Sequence, residues 1–466
     1  MKIYAVVLAA GKGTRMKSER PKVVHEVLYK PMISHITDTL KKLHVDRTVV
    51  VVGHEADQVK ALLDDDIEVV YQNEQKGTGH AVLCAKDVLG DEEGLTLVLC
   101  GDAPLVQVST LENLIARAKE MNAQACVMTA HCDTSVAYGR IINDNGHVKG
   151  IVEFKDLKDD QKDITEMNTG EYCFDNQALF EALGKITNDN AQNEYYLTDV
   201  IGIMNDEGKT VTSYEIDDFD EVGGINDRVA LAAATKTMQE RVNKQWLLEG
   251  VNIIDPTNTY IGTDVVIGPD TTIEPGCVLK GHTVIGANCH IGPYCEFTDV
   301  TIHDNVEIKY SVLSDSEVGS GTDIGPFARL RTNCHIRENV HIGNFVEMKK
   351  ADFGKGSKSA HLTYIGDAIV GENVNIGCGT ITSNYDGKNK SLTQIGDNAF
   401  IGCNSNLVAP VSVGNGAFVA AGSTVTDNVD DDAFAIARAR QVNKSGYAKV
   451  LEEKRMKIYN EKQNKK

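Results

Sequence analysis

The chain has 466 residues, with 67 acidic against 47 basic side chains and a formal net charge of -20, so it exceeds one comfortable hydrophobic core and two or three domains are expected. An acidic surface repels nucleic acid and anionic membrane, which leaves a phosphate-bearing substrate to be held by locally placed Lys and Arg. No apolar run approaches ~18 residues, so no membrane span is expected, and eleven Cys without a C-x-x-C pair fit a reduced, cytosolic protein rather than a zinc site.

Residues 3–10, rich in Val and Ile, read as a buried strand. Gly11-Lys12-Gly13-Thr14-Arg15-Met16 follows, a poor context for signal cleavage but a suitable one for bringing backbone N–H groups to phosphate. Apolar strands are expected at 47–52, 67–71, 95–99 and 125–129, with helices at 32–43 and 79–88 between them. Strand and helix in alternation argue for a mostly parallel, doubly wound sheet, whose ligands bind beyond the carboxyl ends of the strands. Gly11, Gln72 and Asp102 all sit just after such strands. A carboxylate in that place suits Mg2+, which takes one or two carboxylates together with substrate phosphates, although a lone Gly-Asp also serves as a turn or helix cap.

Residues 227–249 read as one helix, with Leu231, Ala234, Met238, Val242 and Trp246 as an apolar stripe and Gly250 as its stop. It is expected to act as a linker (228–250) between a first domain (1–227) and a second (251–466).

The second half keeps a step of six. Ile261, Ile267, Ile273, Leu279, Ile285, Ile291 and Phe297 hold one phase, as do Ile324 to Met348 and Ile395 to Val425, with small residues four places on, among them Cys277, Cys289, Cys295 and Cys334. Neither a helix nor a flat strand keeps this period, whereas a coil of short strands does, so 251–430 should form a parallel β-helix. The phase breaks at 354–364 and at 382–394, and both segments are expected to leave the coil as loops. They carry Lys355, Lys358, His361, Tyr364, Asn384, Tyr385 and Lys390, a density of polar chemistry beside an apolar coil. The Lys-rich end, 447–466, should be helical and then frayed.

The motifs Leu8 to Met16, Pro21-Lys22, Gln72 with Gly77-Thr78, Gly101-Asp102 and Tyr138-Gly139-Arg140 resemble a sugar-nucleotide pyrophosphorylase. Joined to the hexapeptide half, the chain from residue 3 to about 445 resembles the bacterial bifunctional N-acetylglucosamine-1-phosphate uridyltransferase / glucosamine-1-phosphate acetyltransferase family. The resemblance implies an α/β doubly wound nucleotidyltransferase domain, a long linker helix and a left-handed parallel β-helix of hexapeptide repeats, assembled as a cytoplasmic homotrimer through the β-helix. It implies that Leu8, Ala9, Ala10, Gly11, Gln72, Gly77 and Thr78 hold the uridine of UTP. Arg15 and Lys22 would lie on the triphosphate, Cys100 and Gly101 would line the site, and Asp102 with Asn226 would bind Mg2+. Gly139, Glu153, Asn168 and Asn226 would face the N-acetyl sugar phosphate.

In the second half the resemblance implies Arg331, Lys349, Tyr364, Asn375 and Lys390 for the amino-sugar phosphate, and His361 as the base that takes the amine proton. Cys378, Asn384, Tyr385, Cys403, Ala421 and Arg438 would line the acetyl-CoA site. A His base is apt because an ordinary imidazole, with pKa near ~6.5, is mostly neutral at cytosolic pH. Cys378 and Cys403 depart from the Ala and Ser expected at these positions, so a thiol stands where a hydroxyl contact is expected. Two other readings exist: a nucleotidyltransferase whose β-helix is only structural, and a binding protein that keeps both folds. The His361 segment and the intact Lys22, Asp102 and Asn226 argue against them.

Overall fold

The computed structural model describes residues 1–144 and 147–464. Two compact units divide it: Met1–Glu249 with Thr259–Val265, and Gly250–Asn258 with Val266–Lys466. Among the described residues, no helix is long and apolar enough to cross a membrane.

The first unit is built on a sheet of nine strands among the described residues. These are β1 (Ile3–Ala9), β2 (Arg47–Val52), β3 (Glu68–Tyr71), β4 (Leu95–Cys100), β5 (Ala125–His131), β6 (Arg140–Asp144), β7 (His147–Val152), β8 (Glu166–Asp175) and β9 (Val211–Ile216). The main path runs β9-β5-β8-β4-β1-β2-β3. β1 pairs in parallel with β2 and β4, whereas β8 runs antiparallel between β4 and β5. Side chains alternate across each strand, so Tyr4 and Val6 join the core on one face while Ala5, Val7 and Ala9 join the core on the other. Burial on both faces explains why β1 and β2 read as continuous apolar runs. Helix α1 (Met32–Lys42) seals the second face with Ile33, Ile36 and Leu40.

The expected long helix is α2 (Arg228–Leu248), and Asp227 caps it by accepting from the Val229 and Ala230 N–H groups, each at 2.9 Å. Its stripe differs from the expected one. Ala234 and Val242 are buried, but so are Gln239 and Asn243, while Leu231, Met238 and Trp246 are only half-buried. The two amides donate to the Thr259 carbonyl at 2.6 and 2.9 Å. A buried carbonyl needs donors, so two polar residues took the inner face that hydrophobicity alone assigned to apolar ones. The helix groups with the first unit.

The second unit is the expected left-handed parallel β-helix. Paired residues of successive coils stand 18 apart at Ile267↔Ile285, Ile324↔Ile342 and Ile395↔Val413, and the aliphatic and small positions of the hexads are buried. Only the second phase break leaves the coil as a loop: Val370 pairs with Ile395, a step of 25. The first does not. His341–Phe353 pairs with Lys358–Val370 from His341↔Lys358 to Phe353↔Val370, a step of 17. That coil is one residue short: the step falls from 18 at Leu330↔Met348 to 17 at Ile336↔Phe353, so the change is absorbed between Met348 and Asp352, and the ladder continues through 354–364. His361 and Tyr364 therefore stand on a strand. The helix Tyr447–Gln463 follows, exposed along its whole length.

Candidate active sites

In the first unit the loop after β1 sets the chemistry. Gly13 has φ +59, and a Cβ there would lie 2.6 Å from the Lys22 Cβ. Only Gly permits that approach, which brings the turns Thr14–Met16 and Lys22–Val24 together. The Lys22 ammonium pairs with the Asp102 carboxylate and donates to Asn226 Oδ1 at 3.1 Å, while Arg15 Nη2 donates to the same oxygen at 2.7 Å. Four predicted residues thus meet from four separate segments. Lys22 and Asp102 are mostly shielded, with side chains 17% and 16% exposed, so the pair is stronger than a surface ion pair.

Beside them lies a cavity of about 260 Å3 lined by Leu8, Ala9, Ala10, Gly11, Lys22, Gln72, Gly77, Thr78, Cys100 and Asp102. Gly101 stands behind it, its N–H donating to the Leu8 carbonyl at 3.0 Å. Gln72 is buried, and its amide nitrogen donates to the Gly77 carbonyl and contacts His80 Nδ1, both at 3.0 Å. Gln72 therefore shapes the turn to Gly77, whose φ of +108 and approach to Tyr195 exclude a Cβ. A second cavity, of about 510 Å3, meets Arg15, Cys100, Asp102, Tyr138 and Asn226.

The three remaining predicted residues of this unit also meet or lie close. Asn168 N–H donates to the Gly139 carbonyl at 2.9 Å, and Asn168 Nδ2 donates to the Tyr172 hydroxyl at 2.7 Å. A Cβ on Gly139 would lie 3.6 Å from a Glu153 carboxylate oxygen. Burial holds the Glu153 carboxyl above the usual range, opposed by the Thr198 hydroxyl, which donates to it at 3.1 Å.

Sequence reasoning missed Glu171. The ladder between β8 and β5 shifts register between Asn168 and Tyr172, and this bulge turns Glu171 into the protein, where it is 1% exposed. Cys100 N–H donates to its Oε1 at 3.4 Å. Burial first, and then the charge of Asp102, pushes its carboxyl up to about 8. An acid raised in the fold holds its proton more tightly folded than unfolded. Its burial therefore costs little below the unfolded pKa near ~4.3, and the cost grows as pH rises toward 8, reaching roughly 3–4 kcal/mol by pH 7. Glu171→Gln should accordingly match the parent in thermal unfolding at pH 4–5 and exceed it at pH 8. Parallel melting curves at both pH values would refute the neutral-carboxyl assignment.

In the second unit Asn344 pairs with His361, and Ser359, Ile376, Ile401 and Val419 pair in succession. His361, Cys378, Cys403 and Ala421 each lie two residues beyond one of these, so all four occupy the same corner of successive coils. His361 is exposed there. Arg438 reaches that corner, its Cδ 3.6 Å from a Cβ built on Gly422.

On the next face, Tyr364 pairs with Glu347 and Ile381, and its hydroxyl lies over Gly366, the partner of Lys349. Arg331 Nη1 donates to Glu347 at 2.9 Å. The Lys390 ammonium stands against Lys349 and is the main cause that lowers the Lys349 pKa, while Asp367 opposes it. The loop that brings Lys390 back is pinned: Asn384 donates to Asp367, Ser391 N–H to the Asn384 carbonyl at 2.9 Å, and Tyr385 bridges to Lys390. Two ammonium groups side by side mark a place for an anion. Asn375 lies apart from this cluster, on the face where it pairs with Lys358 and Phe400.

Three family models match the chain: MobA-like NTP transferase domain over residues 5–194, GMPPB C-terminal domain over 260–351, and bacterial transferase hexapeptide (six repeats) over 392–427. The bifunctional protein GlmU of Geobacillus sp. (strain WCH70) is 53% identical over 452 residues, 97% of this chain and 98% of that one. The GlmU of Bacillus cytotoxicus is 54% identical over 449 residues, 96% of this chain and 98% of its own. With a nucleotidyltransferase unit, a hexapeptide coil and this identity along nearly its whole length, the chain belongs to the family of bifunctional GlmU proteins, the uridyltransferase–acetyltransferase family that its motifs resemble.

Proposed function

We propose that the first unit carries the uridylyl transfer and the second the acetyl transfer of UDP-N-acetylglucosamine synthesis, which serves peptidoglycan and other envelope precursors. The amine of glucosamine 1-phosphate takes an acetyl group from acetyl-CoA. The phosphate of the product then attacks the α-phosphorus of UTP, and pyrophosphate leaves. The observation that carries this reading is the Lys22 ammonium spanning Asp102 and Asn226, with Arg15 on the same amide oxygen.

Those two oxygens converge on one cation, which suits a hard divalent ion. Among the described residues no group of three His, Cys, Asp or Glu could hold a metal by itself, as fits Mg2+, which relies on substrate phosphates and water for its remaining ligands. When bound, Mg2+ neutralises charge developing on the phosphates. Lys22 and Arg15 hold the triphosphate in line for attack, the transfer needing placement and charge neutralisation rather than a covalent nucleophile. Main-chain groups at Leu8 to Gly11, Gly101, Gly77 and Thr78, with Gln72, take the uridine; Gly139, Glu153 and Asn168 take the sugar.

In the second unit Arg331, Lys349, Tyr364, Asn375 and Lys390 hold the acceptor's phosphate and ring. His361 accepts the amine proton as the C–N bond forms, and the C–S bond of the thioester breaks to release CoA. The coenzyme runs along the corner of Cys378, Cys403 and Ala421, between Asn384, Tyr385 and Arg438. Eleven unpaired thiols fit a reducing cytoplasm.

We further infer a homotrimer built by the coil, with a neighbour completing each acetyl-transfer site. Asn375 and the Lys349–Lys390 cluster occupy different faces of one coil, and closed cyclic symmetry brings unlike faces of neighbouring copies together. Asn375→Ala and Lys390→Ala, each weak alone, should regain acetyl transfer when the two chains are co-expressed in mixed trimers. A fully active monomer by light scattering, or trimers with no recovery, would reject the shared site.

A further inference from the structure

We propose that Tyr138 is a positioning residue of the uridylyl site, its hydroxyl setting the segment Gly224 to Asn226 against Asp102 and so the spacing of the cation-binding oxygens. The inference rests on the reading of Asp102 and Asn226 given above. The Tyr138 hydroxyl accepts from Gly224 N–H at 2.8 Å. Next along, Ile225 N–H donates to the Asp102 carbonyl at 2.9 Å, and Asn226 Nδ2 donates to the Gly224 carbonyl at 3.1 Å. A Cβ built on Gly224 would lie 3.3 Å from Asp102 Oδ2 and 3.4 Å from the Tyr138 hydroxyl. Phenol and carboxylate thus close on the same point of the segment.

The phenol is held from behind. Its ring stands edge-on to Phe219 at 5.2 Å. Its own carbonyl accepts from the Arg140 guanidinium, which also donates to the carbonyls of Thr134 at 2.7 Å and Val136 at 3.3 Å. Arg140 is 0% exposed, and among the described residues no carboxylate pairs with it. Its two Nη groups thus tie three carbonyls of residues 134–138 into one turn. The turn continues into Gly139, whose carbonyl takes the Asn168 N–H. One clamped turn therefore touches the proposed sugar side through Gly139 and the proposed cation side through Tyr138. Burial pushes the Tyr138 phenol up to about 12, so it keeps its proton and remains able to donate while it accepts from Gly224.

Tyr138→Phe keeps the ring against Phe219 and removes only the acceptor of the Gly224 N–H. Orphaning a buried donor changes an equilibrium by roughly 5- to 150-fold. In the metal-free protein, amide exchange across residues 223–226 should speed up by a factor in that range. Mn2+ binding in the presence of UDP-N-acetylglucosamine, followed by the EPR signal of free Mn2+, should weaken several-fold. The kcat of uridylyl transfer should fall by about tenfold, with the KM for UTP and the acetyl-transfer rate unchanged. Parent-like exchange, or faster exchange with parent-like Mn2+ binding and kcat, overturns the inference. Asp102→Asn separates the two levels: if it binds Mn2+ like the parent, the cation reading itself fails, whereas if it loses Mn2+ while Tyr138→Phe does not, only the role of Tyr138 fails.

Discussion

His361→Ala should lower the kcat of acetyl transfer by about 10²–10⁴-fold, the usual loss on removing a general base, while uridylyl transfer by the same enzyme keeps its rate. The attacking amine must shed a proton as the tetrahedral intermediate forms or collapses. His361 stands exposed on the strand Lys358–Val370, at the corner shared with Cys378, Cys403 and Ala421. The same coil carries Tyr364 and, through register, reaches the Lys349–Lys390 cluster. Substrate KM values should move less than kcat. Acetylation of glucosamine 1-phosphate within a few-fold of the parent would remove His361 from the reaction.

Asp102→Ala should lower uridylyl transfer by roughly 10²–10³-fold or more, the scale found when a preorganised electrostatic group is deleted, and leave acetyl transfer within twofold. The carboxylate is mostly shielded and pairs with Lys22, so its loss removes an oxygen proposed to bind the cation and leaves an ammonium without its carboxylate partner. Asn226 keeps only an amide oxygen for both Lys22 and Arg15. Measuring pyrophosphate release and free CoA in one preparation provides the internal control. A parallel fall in both products from correctly folded protein would mean that the two activities do not reside in separate units.

Apolar pattern made the interior of both units legible. The apolar run at residues 3–10 marks a buried strand, whose Tyr4 and Val6 join one core and Ala5 and Val7 the other, and the period of six assigns Cys277, Cys289, Cys295 and Cys334 to the inside of the coil, where they are buried. The misreadings have equally local causes. A coil one residue short and a coil with extra residues both break the phase, so 354–364 and 382–394 looked alike until backbone pairing separated a strand from a loop. Glu171 carried no sequence signal, because only the folded strand, with its register shift between Asn168 and Tyr172, buries it. Gln239 and Asn243 lie on the inner side of α2 because a carbonyl 20 and 16 residues away needed their donors.

Sequence alone determined which hexad positions of the second unit face inward, because hexad phase is a property of neighbouring residues and burial rewards it directly. Which residues meet was decided only in three dimensions. Lys22 reaches Asp102 across 80 positions and Asn226 across 204, because the order β4-β1-β2 sets strand ends side by side that the chain itself keeps far apart. Lys390 returns to Lys349 for a similar reason, since the step of 25 extrudes its loop beside a strand two coils back. Local pattern carries no information on such distances; hydrogen-bonded register does.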